Sequence, residues 1–183
     1  MQYWFPLGRT RWFGAALYVH LSVVVAAAVI ALAGVQDPAF AAATLLSLVA
    51  LILLHEFGHA AVAHYFGYPV KSIWFGLIHG RCAFETPLTE WERCLVAWGG
   101  VAAQLIIAIP ICVADALWHR PVGVFGPVVL ILGYWSLVVA VLNLIPSRGL
   151  DGQLAWRIIP LLRGQLGARR LAQDALRRNR RDR

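Results

Sequence analysis

FAAATLLSLVALILLHEFGHAAVAHYF, residues 40–66, decides how the rest of the chain is read. It runs from Phe40 to Leu54 without an ionisable side chain, then sets His55, Glu56 and His59 into what otherwise reads as apolar helix. At about 1.5 Å per residue, such a stretch crosses the ~30 Å hydrocarbon core of a bilayer. Ionisable groups at membrane depth are expensive unless something pairs with them. The rest of the sequence has to supply that partner.

Three further stretches have the same apolar character. Gly14–Gly34 and Val122–Ile145 carry no charge, and Leu95–Leu117 is interrupted only by Asp115. With 60% of its 183 residues hydrophobic and 14% charged, the chain lies outside the range of soluble globular proteins. The expected architecture is an all-α polytopic membrane protein with about four transmembrane helices. Gly14–Gly34 reads as the first span rather than a secretory signal, because it is long and "AVIALAG" leads directly into the next. Cleavage after Ala33 is the lesser alternative.

Charge placement orients the bundle. Arg9 and Arg11 precede the first apolar stretch, and the 34–39 connection has neither Lys nor Arg. Lys71, Arg81 and Arg93 lie between the second and third, Arg120 between the third and fourth, and nine arginines follow Gln153. The positive-inside rule puts both termini and the 67–93 segment in the cytoplasm, in a multi-pass protein of a prokaryotic cytoplasmic membrane. Cys82, Cys94 and Cys112 lack zinc-ligand spacing and read as small apolar fillers without disulfides.

Between spans two and three, GYPVKSIWFGLIHGRCAFET (residues 67–86) breaks the helical pattern. Gly67 and Pro69 end the second helix, and Val70, Ile73, Phe75, Leu77 and Phe84 around Gly76 and Gly80 read as a short β-hairpin turning near His79–Gly80. Thr89 and Glu92 then form a capping box for the third helix. The chain divides into a transmembrane core, 1–152, and a basic tail, 153–183. In the tail Leu154, Ile158, Leu161, Leu162 and Leu166 recur at helical spacing among arginines, which suits an amphipathic helix on anionic lipid. Nucleic-acid binding, the other use of so many arginines, is set aside because of the spans upstream. The last five or six residues are expected to be disordered.

His55 and His59 are four apart, so a helix stacks them on one face within reach of one metal ion. Glu56 points about 100° away from His55, where it can approach a metal-bound water without being a ligand. This is the HExxH arrangement, with two imidazoles on Zn²⁺ and a carboxylate as base. The bland alternative, polar residues satisfied between packed helices, leaves each buried charge to find its own partner. Two histidines need a third ligand. His64 points about 180° from His55 on a continuous helix. His20 suits a hydrogen bond to a neighbouring helix, while His79 and His119 belong to connections. NLIPSRGLDG, residues 143–152, is better placed. Pro146 ends the fourth helix, Gly149 permits a turn, and Asp151 returns either as N-cap of the tail helix or as the ligand. With span two starting near Ala39 outside, His55 lies about 24 Å in, near the cytoplasmic edge where span four also ends.

HEFGH in the second span together with NLIPSRGLDG after the last resembles the site-2 protease family of intramembrane zinc metalloproteases. The second signature of that family, Asn-x-x-Pro-x-x-x-Leu-Asp-Gly, is matched by Asn143, Pro146, Leu150, Asp151 and Gly152. The likeness runs from about Leu7 to Leu154 and includes His20 within PLGRTRWFGAALYVHLS. CLVAWGGVAAQL is similar to the family's Gly-Pro-x-x-Asn stretch, with Val101 in place of the proline and Gln104 in place of the asparagine. The resemblance implies one zinc ion per chain on His55, His59 and Asp151, with Glu56 as catalytic base. Asn143 and Gln104 would contact substrate. Related enzymes are thought to use a comparable hairpin to hold an unwound substrate, which would make Val70, Ile73 and Phe75 substrate-binding positions.

These readings imply a compact zinc endopeptidase, without a PDZ domain, that cuts transmembrane segments of membrane proteins near their cytoplasmic end. A metal-containing but inactive member that binds membrane proteins uncut is the alternative. A di-iron oxidase would need several histidine clusters, where the sequence has one. The natural substrate and the oligomeric state stay unassigned.

Overall fold

A computed structural model of the chain describes residues 3–12, 14–76, 80–84, 88–118 and 123–181. In chain order the elements are β1 (Trp4–Trp12), β2 (Ala15–His20), α1 (Leu21–Ala33), α2 (Pro38–Tyr65), β3 (Val70–Phe75), β4 (Arg81–Phe84) and α3 (Glu90–Trp118). They are followed by α4 (Phe125–Asn143), α5 (Gly152–Ala155) and α6 (Ile158–Arg181). His79 and His119 lie outside the described residues.

Three of these helices, α2, α3 and α4, are long and apolar enough to cross a membrane. The expected first span differs. Ala15–His20 is a strand, and the remainder forms the 13-residue α1, about 20 Å long and short of a full hydrocarbon core. His20 marks the change of state. It is the N-cap of α1, its Nδ1 accepting the Ser22 backbone N–H at 3.1 Å, and does not bond to a neighbouring helix as expected.

The strands form one sheet in the order β1-β2-β3-β4. β1 and β2 are antiparallel, β2 and β3 parallel, and β3 and β4 antiparallel. The parallel pair is possible because α1 and α2 form the crossover that parallel neighbours require. The register shifts between Val70 and Ser72. That extra residue breaks strict alternation and lets Val70, Ile73 and Phe75 all turn inward. With Ala15 and Leu17 of β2 they pack on Leu51, Ile52 and Ala60 of α2, so the sheet is fixed to the helix that carries HEFGH.

Helix ends follow local chemistry. α2 starts with Asp37 accepting the Phe40 N–H at 3.0 Å. It ends with Gly67 at φ 79, the Gly67 N–H on the His64 carbonyl and the Tyr68 N–H on that of Ala63, a Schellman stop. At α3, Glu92 Oε2 accepts the Thr89 N–H at 2.9 Å while Thr89 Oγ1 accepts the Glu92 N–H at 3.3 Å, the reciprocal capping box. α2 and α3 meet backbone to backbone, since a Cβ on Gly58 would overlap the Gly99 carbonyl. Small residues at such a crossing are how membrane helices approach closely. α4 widens to a π-helical turn over Val129–Trp135, with Gly133 against Ile111 and Cys112 of α3. The three cysteines are free. α6 stays helical to Arg181, beyond the point where the sequence reading ends its order.

Candidate metal centre

α2 brings His55 and His59 to one face, and the chain after α4 brings Asp151 to meet them. Ser147–Leu150 forms a turn in which the Leu150 N–H reaches the Ser147 carbonyl at 3.2 Å. Gly149 sits there at φ 90, a backbone state that residues with a Cβ rarely adopt. Behind the turn, Gly152 lies so close to the Leu144 carbonyl that a Cβ would overlap it. Trp156 Nε1–H donates to the same carbonyl at 2.6 Å, and Trp98 Nε1–H on α3 donates to that of Ala155 at 3.1 Å. Asp151 precedes α5 but makes no side-chain cap there. Its carboxylate turns to the histidines instead.

Asp151 Oδ2 lies 3.0 Å from His55 Nε2 and 3.3 Å from His59 Nε2, and the two Nε2 atoms are 3.1 Å apart. The other ring nitrogens are also held. His59 Nδ1 is 2.7 Å from the Val96 carbonyl oxygen and His55 Nδ1 is 3.1 Å from Gln104 Oε1. Both of those oxygens accept, so each ring carries a hydrogen at Nδ1 and in its neutral form presents a bare Nε2. In that form three lone pairs converge, and Asp151 Oδ2 is buried without a hydrogen-bond donor among the described residues.

A divalent cation resolves that conflict. Ligands about 2.0 Å from a tetrahedral zinc form edges of about 3.3 Å, close to the three distances seen. The donor set also fits, two imidazoles and a carboxylate leaving one position open.

Glu56, one residue after His55, is buried, and its Oε2 has no hydrogen-bond partner among the described residues. Gly80, just before β4, sits against this carboxylate, where any Cβ would overlap Oε1. Gly100 of α3 lies under the imidazoles; a Cβ there would come within 2.6 Å of His59 Cε1 and 2.8 Å of His55 Cε1.

Other expected site residues fall elsewhere. Val70, Ile73 and Phe75 are core residues of an interior strand, so their side chains face α2 and their backbone is already paired on both sides. The bulge and the parallel partner β2 put them there, and neither shows in a hairpin read by itself. Gln104 is fully buried behind His55. Asn143 closes α4 and is half-buried. The Val96 carbonyl, Gly80, Gly100, Trp98 and Trp156 were not singled out by sequence. Adjacent glycines in an apolar helix weaken it, which is the signal that marks Gly99–Gly100 as a close approach.

A known protein shares this fold. The structure superposes on the site-2 protease of Methanocaldococcus jannaschii with a TM-score of 0.68 over 86% of this chain and 71% of that one, at 22% identity. In sequence the chain is 34% identical over 122 residues to a Synechocystis protein provisionally named zinc metalloprotease sll0528, matching 63% of this chain and 32% of that one. These likenesses, in fold and in sequence, point to the site-2 protease family. A Mycolicibacterium smegmatis protein provisionally named zinc metalloprotease Rip2 is 28% identical over 131 residues, 55% of this chain and 51% of that one. The chain thus spans about a third and about half of the length of those two relatives. No protein-family profile matches it. Its cluster of His55, His59 and Asp151 lies on α2 and just past α4, the two places where the family signatures fall.

Proposed function

We propose that this chain is an intramembrane zinc endopeptidase that hydrolyses peptide bonds in transmembrane segments near the cytoplasmic face. The observation that carries the reading is the convergence of His55 Nε2, His59 Nε2 and Asp151 Oδ2 within 3.3 Å of one another. These three residues would hold one zinc ion, which supplies the Lewis acidity for amide hydrolysis. Glu56 takes the proton of the attacking water and returns it to the leaving amine, as a buried carboxylate beside the cluster can do. Asn143 steadies the substrate backbone where α4 ends.

A transmembrane helix keeps its amides in its own hydrogen bonds and must unwind before it is cut. An unwound segment then needs partners for those amides, and a free sheet edge offers them. β3 has no free edge, whereas β4 does. β4 also follows Gly80, which touches Glu56, so a segment added to β4 runs past the catalytic carboxylate. The arginine content of the tail suits anionic lipid at the cytoplasmic surface of a prokaryotic membrane, the side on which charge placement expects both termini.

Zinc content and cleavage of single-span substrates, measured in detergent for wild type and Glu56→Gln, test this. Equal zinc in both, with cleavage lost at least 10²-fold in the variant, is the expected result. Bound zinc with no cleavage by the wild type across a broad panel would favour the inactive, substrate-binding member.

A further inference from the structure

The catalytic steps above do not use Gln104, although it is among the most completely buried side chains of the described residues. Its Oε1 lies 3.1 Å from His55 Nδ1, and its Nε2 is buried with no partner among the described residues. The one hydrogen bond this amide makes is through its oxygen, and that orientation is the one that leaves His55 Nε2 free to face the cluster. Turned the other way, the amide would offer N–H to His55 Nδ1. The ring hydrogen would then move to Nε2, directly into the space shared with His59 Nε2 and Asp151 Oδ2. The metal-binding face would be blocked.

His59 has an equivalent support, the Val96 carbonyl on the same helix. That support is part of the backbone and no side-chain substitution removes it. His55 depends on a side chain, and on its length: an asparagine at 104 is shorter by one carbon–carbon bond, about 1.5 Å. The contact would open from 3.1 Å to beyond hydrogen-bonding distance.

We propose that Gln104 is the positioning residue that fixes the tautomer and ring orientation of His55, and through it the affinity of the site for its divalent cation, rather than a contact to substrate. The assignment rests on the metal-site reading above. Outer partners of metal-bound histidines typically change metal affinity 10- to 100-fold when removed.

Zinc affinity of the purified full-length protein, measured by competition with a chromogenic chelator, tests it with Gln104→Met, Gln104→Asn and Gln104→Glu. Methionine keeps the volume without the acceptor, asparagine keeps the amide without the reach, and glutamate keeps both acceptor and reach. The expected result is a loss of roughly 10- to 100-fold for Met and Asn and affinity within about threefold of wild type, or tighter, for Glu. At saturating zinc, KM for a single-span substrate should stay unchanged in all three. Wild-type affinity in Gln104→Asn and Gln104→Met overturns the assignment, as does a raised KM at unchanged zinc affinity, which would make Gln104 a substrate contact. If Gln104→Met does not fold, the comparison of Asn with Glu decides in the same way. A wild-type protein that holds no zinc overturns the site itself, and this assignment with it.

Discussion

At the scale of single residues, the site is defined as much by what is missing as by what is present. His55 and His59 can share one cation because Gly100 gives their rings room against α3, with no atoms where a Cβ would stand 2.6 and 2.8 Å from the ring carbons. Gly100→Ala should therefore tilt one or both rings off the common point. Helix propensity alone favours alanine by about 1 kcal/mol, so far-ultraviolet circular dichroism should be unchanged while zinc affinity falls at least tenfold. Unchanged affinity would mean that α3 can move back without disturbing the rings. This dependence could be glimpsed in the sequence only as an odd pair of glycines. The HExxH spacing was fully legible, because helix geometry alone places residues i and i+4 side by side. Asp151 was half legible: its depth could be reckoned from span lengths, but whether it capped a helix or faced the histidines depended on a turn that only Gly149 hinted at.

Among elements, the sheet was the least legible part of the fold. Gly14–Gly34 has the composition of a span, and an apolar run of that kind does not by itself distinguish strand from helix. The strand Ala15–His20 is selected by its two neighbours, β1 and the distant β3, a tertiary preference with no local signature. The consequence is functional. Because β2 occupies one side of β3 and β4 the other, prolines in Val70–Phe75 would damage the fold rather than report on substrate. The informative strand is β4. A photo-crosslinker replacing Ala83 should capture a single-span substrate, whereas one replacing Phe5 on β1, the opposite edge, should not. Capture at Phe5 alone would move the substrate to the other side of the sheet. The tail is a second element with a separable role. In proteoliposomes rich in anionic lipid, α6 should resist trypsin more than in neutral vesicles. That protection should weaken as salt is raised from 0.05 to about 0.5 M, because surface attraction is screened within a Debye length. Equal digestion in both lipids would remove lipid as its partner.

Across the whole molecule, the metal centre links parts that the chain keeps far apart. His55 and His59 belong to the second half of α2, while Asp151 follows α4 and leads into the helices that end the described chain. Between them the Asp151 segment is held by two indoles, Trp98 to the Ala155 carbonyl and Trp156 to the Leu144 carbonyl, and by one long ion pair, Arg157 to Glu90 at 3.9 Å. The ion pair is exposed on both sides and contributes little. A cation held by both ends would add a tie between the C-terminal segment and the α2 helix that neither indole makes. A ligand that binds only the folded state stabilises it by about 4 kcal/mol at a thousand times its Kd. Stripping zinc with a strong chelator should accordingly lower the melting temperature by several degrees and expose the 144–152 connection to proteolysis before the rest of the molecule. Asp151→Ala should show the lower melting temperature from the start and lose almost nothing more to the chelator. If wild type and Asp151→Ala instead fall by the same amount on chelation, Asp151 does not belong to the cation's ligands.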